Sequence, residues 1–395
     1  ENGMDIETNS QRVREARRVI LELLLAEHRA DCISCPASGK CKLQDLAHEY
    51  LVRKADFINV ADKSPVDDSS TSIVKDDSKS IRCLRCVRTC AEIIGINAIV
   101  AAHKGNKTKV ETFLNKPYQY AVCTYCGQCI IRCPTGALVE KNNINDVWNA
   151  ISDPDKIVVV QTAPAVRVVL GEALGLPLGK IVTGQMVTAL RKLGFDAVLD
   201  TNFSADLTIM EEGHEFLSRV KTVLGDKKKA VLPMMTSCCP GWIKFIEHEY
   251  PKSLAHLSTC KSPQQMMGAL VKTYYAKKRG VDPSKIVSVS IMPCTAKKFE
   301  ASRPEMKSSG YTDVDYVLTT RELAHMVKQA GISFSELEES HYDHPLGEST
   351  GAAVIFGAAG GVMEAALRTV YEVVTGRPVP FKHLDVAPLR GREGV

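Results

Sequence analysis

The chain has 395 residues, 45% hydrophobic and 24% charged, with 50 basic against 46 acidic residues for a net charge of +4. That length exceeds the roughly 250 to 300 residues at which one core stops growing, so at least two domains are expected and wholesale disorder is excluded. The near-balanced charge, without interleaved basic and aromatic residues, points away from nucleic acid and anionic membrane surfaces, and no apolar run approaches the roughly 20 residues of a membrane span.

Cysteine is the informative residue: ten of the fourteen fall in the first 150 positions. The pattern from Gln11 to Glu27 predicts a helix with Val13, Ile20, Leu23 and Leu24 on one stripe, delivering His28 to the turn where the cysteines begin. His28, Cys32, Cys35 and Cys41 form HxxxCxxCxxxxxC, four candidate ligands that suit a Cys3His zinc knuckle or an iron–sulfur cluster. From Ala61 to Ser80 the chain is polar and rich in aspartate and serine, the composition of a connecting segment rather than a packed element.

The run CxxCxxCxxxCP at Cys123, Cys126, Cys129, Cys133 and Pro134 is the bacterial ferredoxin spacing, in which the fourth thiolate reaches a neighbouring cluster. The same spacing occurs 43 residues earlier as SxxCxxCxxxC at Ser80, Cys83, Cys86 and Cys90, an internal duplication. By cross-ligation one 4Fe–4S cube takes Cys123, Cys126, Cys129 and Cys90. The other takes Cys83, Cys86 and Cys133, with Ser80 in the fourth place. Serine oxygen is a harder, poorer ligand than thiolate here, so that cluster is oxygen-ligated or short of one iron. Zinc sites pair two CxxC units rather than running CxxCxxC without a break.

After Trp148 the sequence alternates apolar strand-like runs with helical patterns: 156–161, 195–200, 230–235, 286–291 and 315–319 read as strands of a largely parallel sheet. GAAVIFGAAGG at 351–361 lacks the GK[ST] ending of a phosphate loop and reads as a tight turn before a helix at 362–374, closed by Gly376 and Pro378.

The remaining cysteines are Cys238, Cys239, Cys260 and Cys294. The doublet in TSCCPGW precedes a helix at 242–250, where a thiol is expected to have a lowered pKa, so one cysteine can hold metal while the other carries protons. IMPCTAKKFE sets Cys294, Lys297 and Glu300 along one face of a turn after a strand. By burial statistics Glu212 and Glu215, at i and i+3, read as a solvated helix face unless a channel runs beside them.

TSCCPGW, MPCTAKKFE and LSTCKSPQQ together resemble the active-site domain of FeFe hydrogenases, and the resemblance continues through DTNFSADLTIMEE and GAAVIFGAAGGVMEAALR. The N-terminal cysteines are similar to the cluster-binding region these enzymes share with the large iron–sulfur subunit of respiratory complex I. That resemblance favours a 4Fe–4S cluster on His28, Cys32, Cys35 and Cys41. It also implies an H-cluster, a 4Fe–4S cube joined to a diiron unit carrying CO, CN and a dithiolate. On this reading Cys239 and Cys294 hold the cube, Cys238 exchanges protons, and Lys297 donates to an iron-bound cyanide. Glu300 is a titratable acid beside it, Pro164, Ser262, Gln264 and Met292 line the pocket, and Glu212, Ser258, Glu215 and Arg219 carry protons outward.

The expected architecture is an α/β catalytic domain with parallel sheets, preceded by a two-cluster ferredoxin-like α+β domain and a small His/Cys3 iron–sulfur domain. The expected boundaries are 1–62, 63–145 and 146–395, the last C-terminally incomplete because the family's third cysteine motif does not appear. The opening NGMDIETNS resembles the end of a 2Fe–2S domain expected upstream. The implied function is interconversion of H2 with protons and electrons in a reducing, anaerobic cytoplasm. The implied partners are ferredoxin or NADH/flavin-type electron-transfer subunits of a hetero-oligomeric complex, and maturation proteins. The alternatives are a hydrogen-sensing homologue, or an iron–sulfur electron-transfer or assembly protein without a working diiron centre.

Overall fold

The computed structural model describes residues 3–52, 57–58, 60–61, 64–225, 230–357 and 360–380. The chain divides into two compact units, Glu1–Lys141 and Asn142–Val395, so both cysteine-rich segments fall in the first.

In the first unit a helix spans Gln11–Ala26, opened by Ser10, whose hydroxyl accepts the Val13 amide at 3.4 Å. Its buried face differs from the expected stripe: Leu21 and Ala26 are buried whereas Ile20 and Leu23 are exposed. LELLLA offers leucines on several faces, so periodicity alone could not choose among them. Leu21 packs with Cys41 and Leu43, the latter on the helix Lys42–Glu49.

Two antiparallel pairs complete the unit: β1 (Ile73–Lys75) with β4 (Leu138–Glu140), and β2 (Val100–Ala102) with β3 (Lys109–Glu111). β1 lies inside the polar run expected to be a connector, and Ser70, Ser72, Asp76, Ser78 and Lys79 around it are buried. The composition misleads because these short side chains bond their own backbone: Ser70 Oγ accepts the Ser72 and Ile73 amides, and Asp76 Oδ1 accepts that of Ser78.

The second unit is built on a four-stranded parallel sheet of β5 (Ile157–Thr162), β6 (Ala197–Asp200), β7 (Ile286–Met292) and β8 (Tyr316–Thr319), in the order β6-β5-β7-β8. β5 is a continuous apolar run up to Gln161, β7 alternates apolar residues with Ser288 and Ser290, and Val160, Val289 and Ile291 pack in one core with Met186 and Leu323. The chain adds β6 on one side of β5 and then β7 on the other, so the strand order reverses between β5 and β7. In open α/β sheets the carboxyl ends of the strands at such a reversal form a crevice. Pro164 follows β5 there, while Met292 ends β7 and Cys294 lies two residues beyond.

The run 230–235 is not a strand. Only Met235 forms a bridge, to Leu257, because Pro233 has no amide to give a ladder. A 25-residue helix, Thr201–Gly225, follows β6 directly, and the helix Pro240–Glu249 starts at the cysteine doublet. The glycine-rich segment does make a close approach: a Cβ on Gly361 would lie 1.8 Å from the Ile355 carbonyl oxygen. The helix Gly361–Thr375 ends at Gly376 in the left-handed region. Among the described residues no helix is long and apolar enough to cross a membrane.

Candidate metal centres and proton path

All fourteen cysteines are thiols rather than disulfides. The ten in the first unit line three separate cavities. His28, Cys32, Cys35 and Cys41 face the first, with Asp31 and Gln44 on the same wall. His28 is buried, its Nδ1 has no hydrogen-bond partner, and burial together with the charge of Lys79 lowers its pKa. The imidazole is thereby kept neutral, the state that ligates metal. Lys79 is itself buried, with Nζ 3.4 Å from Asp31 and 3.6 Å from Asp76. No sequence signal marked it.

Gly136 reaches this cavity from the other end of the unit. A Cβ there would stand 2.7 Å from Cys35 Sγ, so a side chain must displace the thiol. A Gly136→Val variant of the full-length protein is expected to lose the spectroscopic signature of this one cluster and keep the others. Anaerobic EPR with iron quantification checks this, and unchanged spectra would refute it.

The other two cavities come from the duplicated loops, whose left-handed residues fall at matching positions. Arg82 and Tyr125 have φ of 53° and 56°, and Leu84 and Gly127 have 58° and 74°. Left-handed residues two apart bend such a loop tightly, and turns of this kind can point amides into a concavity suited to an anionic cluster. A leucine in that region costs on the order of 1–3 kcal/mol, a strain kept where the loop's shape matters. Cys90, Cys123, Cys126 and Cys129 line one cavity with Tyr118 and Ile99. Ser80, Cys83, Cys86 and Cys133 line the other, with Lys75 and Asp77. The cross-ligation sets deduced from spacing are thus the sets that share a cavity. Among the described residues no three histidine, cysteine or acidic side chains converge as ligands of a single ion. The donor set suits a cluster whose corners the thiolates occupy, since soft thiolates select iron–sulfur centres.

In the second unit Cys239 is the N-cap of the helix Pro240–Glu249 and is exposed, while Cys238 is partly buried. Cys294 precedes the helix Ala296–Ser302, and its thiol and that of Cys239 are close enough to repel each other as thiolates. Lys297 Nζ donates to the Cys238 carbonyl at 2.9 Å and to Glu300 Oε2 at 3.0 Å. Glu300 is buried and accepts in addition from Ser262 Oγ at 2.9 Å and Gln264 Nε2 at 3.0 Å. Behind Gln264, Ser290 Oγ donates to its side-chain oxygen, Gln161 Nε2 to its carbonyl, and Thr201 Oγ1 to Gln161. These supporting residues went unmarked because a polar residue in a strand declares no partner. Met292 is buried at the end of β7 and Pro164 is exposed two residues after β5.

The lowered pKa expected of a thiol in this doublet does not occur at Cys238: burial pushes it up to about 11, against the opposing charge of Lys297. The helix N-terminus presents itself to Cys239, and desolvation dominates at Cys238. Glu212 is buried next to it, and neither carboxylate oxygen has a partner in hydrogen-bonding geometry. Burial raises its pKa, although the Ser237 backbone and Ser258 hydroxyl stand near enough to offset part of that.

Ser258 Oγ takes the Cys260 amide at 3.1 Å and donates to Glu215 Oε2 at 2.8 Å. Glu215 also accepts from the Thr259 amide at 3.0 Å and from Arg219, whose Nη2 lies 2.5 Å from Oε1. Burial acts to raise the Glu215 pKa, but Ser258, Thr259 and Arg219 outweigh it and hold the carboxyl low. Arg219 is anchored on the Leu257 carbonyl at 2.8 Å. Cys260 stands apart from the other thiols of the second unit, with Sγ 3.6 Å from Glu215. The structure therefore joins Ser258, Glu215 and Arg219 in a hydrogen-bonded chain, with Cys238 and Glu212 at its inner end.

The family described as iron only hydrogenase large subunit, C-terminal domain, matches residues 156–395. An NADH-ubiquinone oxidoreductase-G iron–sulfur binding region matches 17–56, and the ferredoxin-like domain of NADH-quinone oxidoreductase subunit 3 matches 70–139. The NADP-reducing hydrogenase subunit HndD of Solidesulfovibrio fructosivorans is 50% identical over the whole chain, which covers 67% of that protein. Iron hydrogenase 1 of Clostridium pasteurianum is 42% identical over the whole chain, which covers 68% of it. The solved structure of an apo FeFe hydrogenase from Chlamydomonas reinhardtii aligns over 64% of this chain and 63% of its own, at 46% identity and a TM-score of 0.56. The chain thus spans about two thirds of the length of these relatives.

Proposed function

The chain belongs to the iron-only (FeFe) hydrogenase large-subunit family, and from that premise we propose that it interconverts molecular hydrogen with protons and electrons. The observation that carries this reading is the meeting, at the crevice of the sheet, of two thiols on separate loops, a fixed ammonium, a third, partly buried thiol and a buried carboxyl whose oxygens have no partner in hydrogen-bonding geometry. The H-cluster supplies the two-electron chemistry of hydrogen when bound. Cys239 and Cys294 would hold its 4Fe–4S part. Lys297, clamped by Glu300 and the Cys238 carbonyl, presents a preorganised ammonium to the anionic ligands of the diiron side, where charge stabilisation in a dry site is strongest. Ser262 and Gln264 hold Glu300 in place by donating to its carboxylate, and Pro164 and Met292 close the pocket. Cys238 passes its proton to Glu212, and Ser258, Glu215 and Arg219 conduct it to solvent.

His28 with Cys32, Cys35 and Cys41, Cys90 with Cys123, Cys126 and Cys129, and Cys83, Cys86 and Cys133 would hold three 4Fe–4S clusters for the relay of electrons. The three matched regions support segments at 1–62, 63–145 and 146–395. The name of the Solidesulfovibrio relative and the oxidoreductase-like N-terminal matches support a place in an electron-transfer complex, with ferredoxin or NADH/flavin-type subunits in the cytoplasm. Maturation proteins load the diiron unit.

The test is the infrared spectrum of the anaerobically matured full-length protein in the region where iron-bound CO and CN absorb. Sharp bands are expected; their absence with iron–sulfur clusters present would favour an electron carrier. Lys297→Met is expected to reduce these bands several-fold per cube, because a thioether gives no charge to the anionic ligands, while the cubes themselves stay. Full band intensity in that variant would remove Lys297 from its assigned role.

A further inference from the structure

The duplicated loops place Ser80 where its counterpart is a cysteine, and the two side chains sit alike. Cys123 Sγ accepts the Tyr125 amide at 3.3 Å, and Ser80 Oγ accepts the Arg82 amide at the same 3.3 Å. The left-handed residues at 82 and 84 match those at 125 and 127, so the loop keeps the form of a ligand loop although one sulfur is replaced by oxygen. Ser80 also shares its cavity wall with Cys83, Cys86 and Cys133. The one carboxylate on that wall among the described residues, Asp77, is engaged by Lys75 at 2.6 Å and is thereby held from substituting for it.

We propose that Ser80 is the fourth ligand of this cluster, through its hydroxyl oxygen, and that the iron it holds is exchangeable while the three on thiolates are fixed. The inference rests on the reading that this cavity holds a 4Fe–4S cube. Oxygen is a harder donor than thiolate and gives up a soft iron–sulfur iron more readily. Metal–oxygen bonds are also about 0.2 Å shorter than metal–sulfur bonds, so a side chain in the cysteine pose reaches less far. On oxidation the [4Fe–4S]2+ cube gives one electron to an outer-sphere oxidant such as ferricyanide and releases Fe2+, leaving [3Fe–4S]+ on the three thiolates. Added Fe2+ and one electron from dithionite reverse the step, with Ser80 regaining its iron.

The experiment compares the anaerobic full-length protein with Ser80→Cys and Ser80→Ala, by EPR and iron counting before and after mild ferricyanide treatment. The protein with Ser80 is expected to lose one iron per chain with the appearance of a three-iron signal, and to regain it with Fe2+ and dithionite. Ser80→Cys should resist that loss, and Ser80→Ala should show the three-iron signal as isolated and fail to recover. A three-iron signal that persists in Ser80→Cys, an Ala variant that recovers like the parent, or a parent as resistant as Ser80→Cys would each overturn the proposal. Absence of cluster iron at this cavity in all three proteins would instead overturn the underlying cluster assignment.

Discussion

Replacing Cys238 by alanine should lower hydrogen turnover by about 10²- to 10⁴-fold, the range that a positioned proton donor contributes, while iron content and infrared bands stay unchanged. The dissociation rests on which atoms of Cys238 do what. Its carbonyl, not its thiol, is bound by Lys297, so truncating the side chain leaves the clamp on the ammonium and Glu300 intact. Its thiol is partly buried and its pKa is pushed up to about 11, so it carries a proton throughout the neutral range. A group that holds its proton in a dry site is a donor that must be recharged, and Glu212 is the acid beside it. Loss of turnover together with loss of the bands would mean that Cys238 supports the cofactor. Parental turnover would end the assignment altogether.

The grouping of the cysteines into cavities was legible from sequence because iron–sulfur spacing is local: CxxCxxC spans seven residues, and the 43-residue repeat pairs each run with the last cysteine of the other. The parallel sheet was legible because its buried strands are short runs of Val and Ile bounded by polar residues. What escaped depended on burial. The 70–79 stretch reads as a connector until its serines and aspartates are seen bonding their own amides in the interior. Proximity to a helix start suggested a lowered pKa for a thiol of the doublet, but the residue that meets that terminus is Cys239, and depth decided the sign at Cys238. The Ser290, Gln161 and Thr201 shell behind Gln264 joins three separate elements, and no spacing rule connects them.

Glu212→Gln should cost about 10²-fold or more in turnover and yet make the protein more stable at neutral pH. The amide has the same shape and cannot carry a proton between Cys238 and Ser258, so the relay is cut at its inner link. The stability effect has the opposite sign because Glu212 is buried with both oxygens unpartnered and its pKa raised by desolvation. Below the unfolded-state pKa both states are protonated and the group costs nothing by ionisation. As pH rises from there through the folded pKa, the unfolded chain releases the proton first and stability is lost. Glutamine removes that loss, so the variant's Tm should exceed the parent's above the unfolded-state pKa, by about 2 to 4 °C per kcal/mol removed for a unit this size, and converge with it in acid. Glu215→Gln should do the reverse: its carboxyl is held low by Ser258, Thr259 and Arg219, so its stabilisation is present above the unfolded pKa and lost as pH falls through the folded one. Tm against pH for both variants, beside turnover, separates a proton carrier kept at a cost to the fold from a carboxylate that the fold depends on. A Glu212→Gln protein less stable than the parent at pH 7 would place Glu212 in the second class.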